Sequence, residues 1–498
     1  MHTSFRSLPR VASPLVLAAL SVAIAATLVP SIANASAFQL KENSAQGLGR
    51  AYAGSVTAGN DVSVVANNPA AMSELDGTYL QADITAINFS AKFSGTSHDV
   101  LGRPNTGGNG GDAGTTLPVP ALAFSTKIND RVNVGVAFDV PFGFQTEFDK
   151  NWMGRYDAVN TKLQSLATTL SASYKINDQF SVGASAIAER TNVNLTNAIN
   201  FNAVGLKVQQ GIGAQTAAGV AQIQAAAQAG QITPAQAGAM IQAAVAQGQA
   251  AAGGVAALTP PGGDGYAQVK GTNWAWGWQV GTFWKPTAKD RVALDYRSRI
   301  SHNFDGTANF TTTAGYDMLL ANPALAGSIP PFEHTTGKAR LTNPATAALS
   351  YWHQEDKFGL GMDVAWTQWS VMRQLSVHYA NAQPTTVLPF NWRDTYYVSV
   401  GGDYYLTNKL TLRAGVSIDQ APMTAVNRDP RVPDAARRMV TFGVGYKASD
   451  HFQIDAAYGH IFVSHSGVNG ATSATGDVLA GSFDAYGNLL SMSAQYKF

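Results

Sequence analysis

Three arginines fall in stretches where polar and apolar residues alternate: Arg190, Arg297 and Arg299. In one stretch Val292, Leu294, Tyr296 and Ile300 oppose Asp295, Arg297 and Arg299. In a second, Val193, Leu195 and Ile199 oppose Arg190, Asn192, Asn194 and Thr196. In a third, Leu410, Leu412, Val416 and Ile418 oppose Thr411, Arg413, Ser417 and Asp419. Successive side chains of a strand point to opposite faces, so each stretch carries one polar face. An arginine facing an enclosed space of low dielectric offers a donor to a carboxylate. The same arginines could instead be internal struts, paired with Asp295, Asp363, Asp419 and Asp455. Catalysis finds little support. There is no G-x-S-x-G elbow and no H-E-x-x-H, and His451 and His460 share a strand with no partner at metal-ligand spacing. No catalytic residue, metal or cofactor is expected.

The elements that hold such faces must be numerous strands. From Gly77 onward, runs rich in Val, Leu, Tyr, Phe, Trp and Thr alternate with breaks of two kinds, which take turns. The short polar kind includes Ile128-Asn129-Asp130, Leu406-Thr407-Asn408 and Ala448-Ser449-Asp450. The long kind covers about 94–117, 142–160, 201–265, 305–336, 380–391, 420–435 and 465–483. Tight turns on one rim and long loops on the other are the pattern of an outer-membrane barrel. The spacing predicts fourteen strands, near 77–93, 118–127, 131–141, 161–175, 179–200, 266–285, 290–304, 337–353, 358–379, 392–405, 409–419, 436–447, 451–464 and 484–498. A charge facing lipid costs roughly 2–4 kcal/mol at the midplane, so the polar sets should face the lumen. Trp274, Trp276, Trp278, Trp284, Trp352, Trp366, Trp369 and Trp392 should include girdle residues at the membrane interfaces.

Composition agrees. Charged residues make up 13% of the chain, about half the level usual in soluble domains. Cysteine is absent, so closure rather than disulfides must hold an exported fold together. Arg6 and Arg10, the apolar run from Leu15 to Val29 and Ala33-Asn34-Ala35 read as a signal peptide over residues 1–35, cleaved near Ala35. Without those two arginines, 31 basic residues face 32 acidic ones, a net of −1. No basic stripe points to nucleic acid.

Two further features bear on function. Pro141-Phe142-Gly143 breaks the third strand; Pro cannot donate to a ladder and Gly weakens one. These residues either begin the outer loop or mark a kink in the wall. Two long loops are apolar for their position. Residues 205–258 read as two short amphipathic helices joined near Gly230, with Thr233-Pro234 as an N-cap and first-turn proline. Residues 311–339 carry Met318, Leu319, Leu320, Leu325, Ile329 and Phe332. Such apolar surface must pack on something or bind something.

The N-terminal stretch Ala37 to Met72 has no strand or helix period across it. It opens Phe38-Gln39-Leu40, continues Gly47-Leu48-Gly49-Arg50-Ala51-Tyr52 and reaches Asn68-Pro69-Ala70. It resembles the hatch of the FadL-type long-chain fatty acid transporters of bacterial outer membranes. The blocks Trp152 to Tyr156, Gly271 to Trp284, Trp392 to Tyr396 and Pro430-Arg431-Val432-Pro433-Asp434 extend the resemblance over nearly the whole mature chain. It implies residues 36–76 as a hatch and 77–498 as a fourteen-stranded barrel. It implies that Phe38 lines a ligand pocket, and that a kink at Pro141, Phe142 and Gly143 opens the wall beside Asn68, Pro69 and Ala70. The expected function is passive uptake of long-chain fatty acids, captured at apolar loops through Met318, Leu319 and Phe332 and released sideways into outer-membrane lipid. Two alternatives stand: uptake of toluene-like aromatic hydrocarbons by the same route, and adhesion or phage reception through the loops. A closed barrel makes a monomer adequate.

Overall fold

The computed structural model describes residues 37–57, 60–323, 325 and 329–498; the expected signal peptide lies outside them. Twenty hydrogen-bonded segments join in one sheet, which merges into the fourteen antiparallel strands of a closed barrel. In chain order these are β1 Thr78–His98, β2 Thr116–Asn129, β3 Val132–Asp139 continued by Gly143–Glu147, β4 Asn160–Lys175, β5 Phe180–Asn200 and β6 Asp264–Trp284. Next come β7 (Asp290–Arg297, Ile300–Thr311), β8 (Thr335–Asn343, Thr346–Gln354), β9 (Phe358–Thr367, Gln374–Tyr379) and β10 (Thr386–Pro389, Thr395–Tyr405). β11 Leu410–Asp419, β12 Arg437–Lys447, β13 (Phe452–Val463, Ser466–Thr472) and β14 Val478–Lys497 complete the wall. β14 pairs back onto β1 from Tyr79↔Lys497 to His98↔Val478.

Alternation sorts the two faces over most of the wall. Leu170, Leu294, Leu412, Phe442 and Leu490 point outward and are exposed, whereas Asp295, Arg413, Ser417 and Asp419 are buried inside. Of the tryptophans, Trp274, Trp276, Trp278 and Trp284 face outward on β6; Trp352, Trp369 and Trp392 are buried instead. Alternation fails in two places. A break at Ser298-Arg299 divides β7, and the register against β6 shifts there by one residue. One extra residue flips the faces, so Ile300 turns inward, 2% exposed, and Arg299 turns outward. On β5, Arg190 is exposed, while Val193 and Leu195 face the lumen.

The segment before β1 holds α1 (Ala45–Gly49), α2 (Val64–Asn67) and a 3-10 turn (Pro69–Glu74), and it packs against strands from all sides of the barrel. Its middle is pinned by polar contacts. Arg50, fully buried, sits 3.3 Å from Asp403, and the amide of Gly54 donates to Asp363 at 2.7 Å. The hydroxyl of Ser171 donates to the Val65 carbonyl and the side-chain Nδ2 of Asn133 to the Leu75 carbonyl. Close approach needs bare wall: a Cβ on Gly401 or Gly415 would lie 2.2 Å from Arg50 backbone atoms. The loop between β5 and β6 forms two long helices, α3 Phe201–Gln228 and α4 Pro234–Leu258, well beyond the short ones expected. Thr233 and Gln236 close a capping box at the start of α4.

Candidate functional site

The lumen holds three cavities in series. An extracellular cleft of ≈ 980 Å³ lies between the long loops. It is lined in part by Val204, Val208 and Ile212 of α3, and by Phe310, Leu325, Ile329 and Phe332. Leu195, Val269, Val377, Leu388 and Arg431 line this cleft and also the next cavity, a narrow apolar slot of ≈ 70 Å³. Phe144, Leu163 and Val432 belong both to the slot and to a side chamber of ≈ 260 Å³ that reaches Leu117 and Pro118 on β2.

Phe38 lines the slot, 3% exposed, among a cluster of aromatic rings. Its ring centroid lies 4.9 Å from Trp369, 5.7 Å from Trp392, 5.6 Å from Phe144 and 6.1 Å from Phe142. Its main chain is tied to the break in β3. The Gly143 amide donates to the Phe38 carbonyl at 2.9 Å, and the Leu40 amide donates to the Pro141 carbonyl at 2.9 Å. Gln39 and Phe142 thereby form an antiparallel bridge. The lower part of β3 pairs with β2 as far as Leu122↔Phe138. Beyond that point β3 turns to the N-terminal segment, and Thr116–Ala121 of β2 keep only their β1 partners. Pro141, Phe142 and Gly143 are therefore a displaced kink in the wall, not the start of a loop.

Asn68, Pro69 and Ala70 rest elsewhere. Asn68 donates to the Thr282 carbonyl on β6, and Gly183 and Gly281 leave room for Ala70 and Asn68. The preceding Ala66 and Asn67 share a small polar cavity with Pro141 and Phe142. Of the arginines expected to meet a ligand, Arg190 and Arg299 face outward. Arg297 points inward but lines that polar cavity rather than the slot, with its guanidinium 3.5 Å from the buried Glu189. Of the loop residues, Phe332 lines the cleft and packs 5.5 Å from Phe310. Met318 is 63% exposed, and Leu319 is buried with Val255 and Ile329 beneath the helices.

Two cationic residues line the slot, the exposed Lys270 and the buried Arg431; Arg431 lines the cleft as well. Its Nη1 holds Asp429 at 3.0 Å, while its buried Nε has no hydrogen-bond partner among the described residues. The same is true of the indole Nε1 of Trp392 and of Trp369. Arg431 and Trp392 line the slot while Trp369 packs behind Phe38, so two residues of the slot wall carry a buried donor that lacks an acceptor among the described residues, and burying an unpaired donor is costly. Close by, Asp157 lines the cleft. Burial pushes its carboxyl well above the usual range; Asp429 adds to the shift and Arg431 opposes it.

A family model described as outer membrane protein transport protein (OMPP1/FadL/TodX) matches residues 26–498. The chain is 27% identical over 444 residues to the long-chain fatty acid transport protein of Escherichia coli O6:H1, covering 88% of this chain and 90% of that one. Its fold superposes on a crystal structure of a Pseudomonas aeruginosa FadL homologue with TM-score 0.78 and 28% identity, over 93% of this chain and 100% of that one. The Pseudomonas putida toluene transporter TodX shares the fold, with TM-score 0.60 at 18% identity over 93% and 100% of the two chains.

Proposed function

This chain belongs to the OMPP1/FadL/TodX family of outer membrane transport proteins, and from that premise we propose that it takes up long-chain fatty acids by passive diffusion into the outer membrane. The observation that carries this reading is the pairing of an apolar slot with unpartnered donors at Arg431 and Trp392. A fatty acid is a long alkyl chain ending in an acceptor-only carboxylate. Burial yields about 0.8 kcal/mol per CH₂, so a C16 tail gains on the order of 10 kcal/mol before the costs of binding. The tail supplies affinity; Arg431 Nε and Trp392 Nε1 orient the head.

The route follows the cavities. Ligand collects in the cleft against Phe332 and Ile329, then enters the slot past Leu195 and Leu388. The slot is too narrow for a full tail while the Phe38 ring stands in its wall, so the tail displaces the Phe38 ring. Moving that ring pulls on the hydrogen bonds to Pro141 and Gly143, each worth about 0.5–1.5 kcal/mol net. The leading residues move alone because Arg50, Gly54 and Val65 are anchored to the wall. With Phe38 displaced, the partition of Phe144, Leu163 and Val432 opens to the side chamber, and the ligand leaves between β2 and β3 into lipid. An alkyl chain that leaves sideways stays out of water throughout.

The test is uptake of labelled oleate and labelled toluene by cells that lack their own transporter, with and without this chain. Oleate uptake that depends on the chain and on Arg431 supports the reading. Toluene uptake alone transfers the slot to aromatic hydrocarbons.

A further inference from the structure

A closed barrel should heal a broken ladder, because unpaired main-chain groups facing lipid each cost several kcal/mol. The run of β2 beside the opening reads Thr116-Leu117-Pro118-Val119-Pro120-Ala121, with two prolines spaced by two. Their orientation follows from the register. The Phe89 amide donates to the Thr115 carbonyl and the Lys127 amide to the Gly77 carbonyl, and the β1–β2 register is continuous between them. Odd-numbered residues of β2 therefore bond to β1. Even-numbered residues bond to β3, as Leu122 and Phe124 sit opposite Phe138 and Val136. Continued upward, that register would set Pro120 opposite Val140 and Pro118 opposite Phe142. The nitrogen of each proline thus points at the opening, and neither carries a proton to donate. Within sheets, proline is found where its missing donor faces an edge.

We propose that Pro118 and Pro120 hold β2 as a permanent strand edge inside the closed wall, so that the kinked part of β3 stays with Phe38–Leu40 instead of zipping onto β2. The two partners compete for one stretch of β3. Phe38 and Leu40 take the hydrogen bonds of Pro141 and Gly143. Between Asp139 and Gly143 the β3–β4 register shifts by one residue, so Pro141 and Gly143 face the N-terminal segment while the Phe142 carbonyl accepts from the Ser165 amide of β4. A β2 able to donate at positions 118 and 120 would reverse that shift, turn Val140 and Phe142 back into the ladder and pull the kink off the N-terminal segment. The prolines remove that competitor. Both rings are exposed, Pro118 at the mouth of the side chamber, and neither belongs to a buried cluster, so their effect is on pairing and not on core packing. As a route for ligand, this inference rests on the lateral exit proposed above; as a statement about strand pairing, it does not.

The test compares the natural chain with a Pro118→Val, Pro120→Val double variant, each also carrying Leu117→Cys and Gly143→Cys. The chain has no cysteine of its own, and residues 117 and 143 would lie directly opposite each other if the β2–β3 register ran on. A disulfide needs its Cα atoms within about 4.4–6.8 Å. The expected result is a crosslink in the valine background and none in the proline background. In the cysteine-free double variant, oleate uptake should fall at least tenfold at equal folded protein in the membrane. Single proline variants, each with one restored donor, should show intermediate uptake and serve if the double variant folds poorly. Equal crosslinking in both backgrounds, or in neither, overturns the proposal. Crosslinking confined to the valine background with uptake unchanged upholds the strand-edge role and overturns the lateral exit instead.

Discussion

The carbonyl of Phe38 accepts a hydrogen bond from the amide of Gly143 at 2.9 Å, which joins a side chain that lines the slot to the kink in the wall. A ligand tail that moves the ring therefore acts on the wall through one main-chain bond, with the Leu40–Pro141 bond beside it. Saturating oleate should increase hydrogen exchange at the Leu40 and Gly143 amides. Phe38→Ala keeps the main chain but removes the ring; it should bind oleate, lose that exchange response and lose uptake about tenfold. Exchange that responds equally in both proteins would uncouple slot from kink.

Arg431 gives the second prediction. Arg431→Gln should weaken oleate binding about 10- to 100-fold, the effect of a charge-assisted hydrogen bond of roughly 1.5–3 kcal/mol. Binding of toluene should not change. Arg297→Gln, at the polar cavity beside Glu189, should leave oleate affinity within about twofold. Competitive displacement of a fluorescent fatty acid reads all three.

The arginines show what the sequence could and could not tell. Strand number, order and the inward face of Arg413 were legible because lipid punishes charge on the outer face. Arg299 was misplaced by one extra residue at Ser298-Arg299, which no local pattern marks. Arg190 was misplaced because the lumen beside β5 is apolar: Val193 and Leu195 face inward to the slot, so polarity inverts as a guide to direction. Arg431 lies in a proline-rich loop that folds back into the lumen, where alternation carries no information. The kink at Pro141–Gly143 was legible as a break; its bond partners, Phe38 and Leu40, rest on a contact about a hundred residues away in sequence and needed the structure. The prolines of β2 were in plain view but meant nothing before the register was known.

Asp157 gives a pH dependence. Its folded carboxyl is raised well above the ordinary 3.8, first by burial. The folded state thus holds this proton more tightly than the unfolded one, and its stability falls as pH rises from about 4 towards the folded pKa. Asp157→Asn avoids that loss. Its melting temperature should match the natural chain at acid pH and exceed it by a margin that grows as pH rises towards the folded pKa of Asp157. Parallel melting curves at all pH values would show that Asp157 ionises without cost.

The helical loop divides into a base and a tip. Val204, Val208 and Ile212 line the cleft, whereas Thr216 and Gly248 mark a close approach of the two helices farther out. Replacing residues 217–247 with a short glycine turn should leave oleate uptake within about twofold. Changing Val204, Val208 and Ile212 to Ser should reduce it several-fold at low oleate, where capture limits. Loss of uptake on trimming the tip would place capture there instead.

The most direct measurement is oleate uptake by cells producing a Pro141→Val, Gly143→Val double variant, in which β3 can run straight past the kink. Heat-modifiable migration on gels would establish equal amounts of folded barrel. Lateral exit requires that uptake falls to the level of cells without the protein while oleate still binds in the lumen. Uptake equal to that of the natural chain would contradict it and leave passage through the barrel floor as the route.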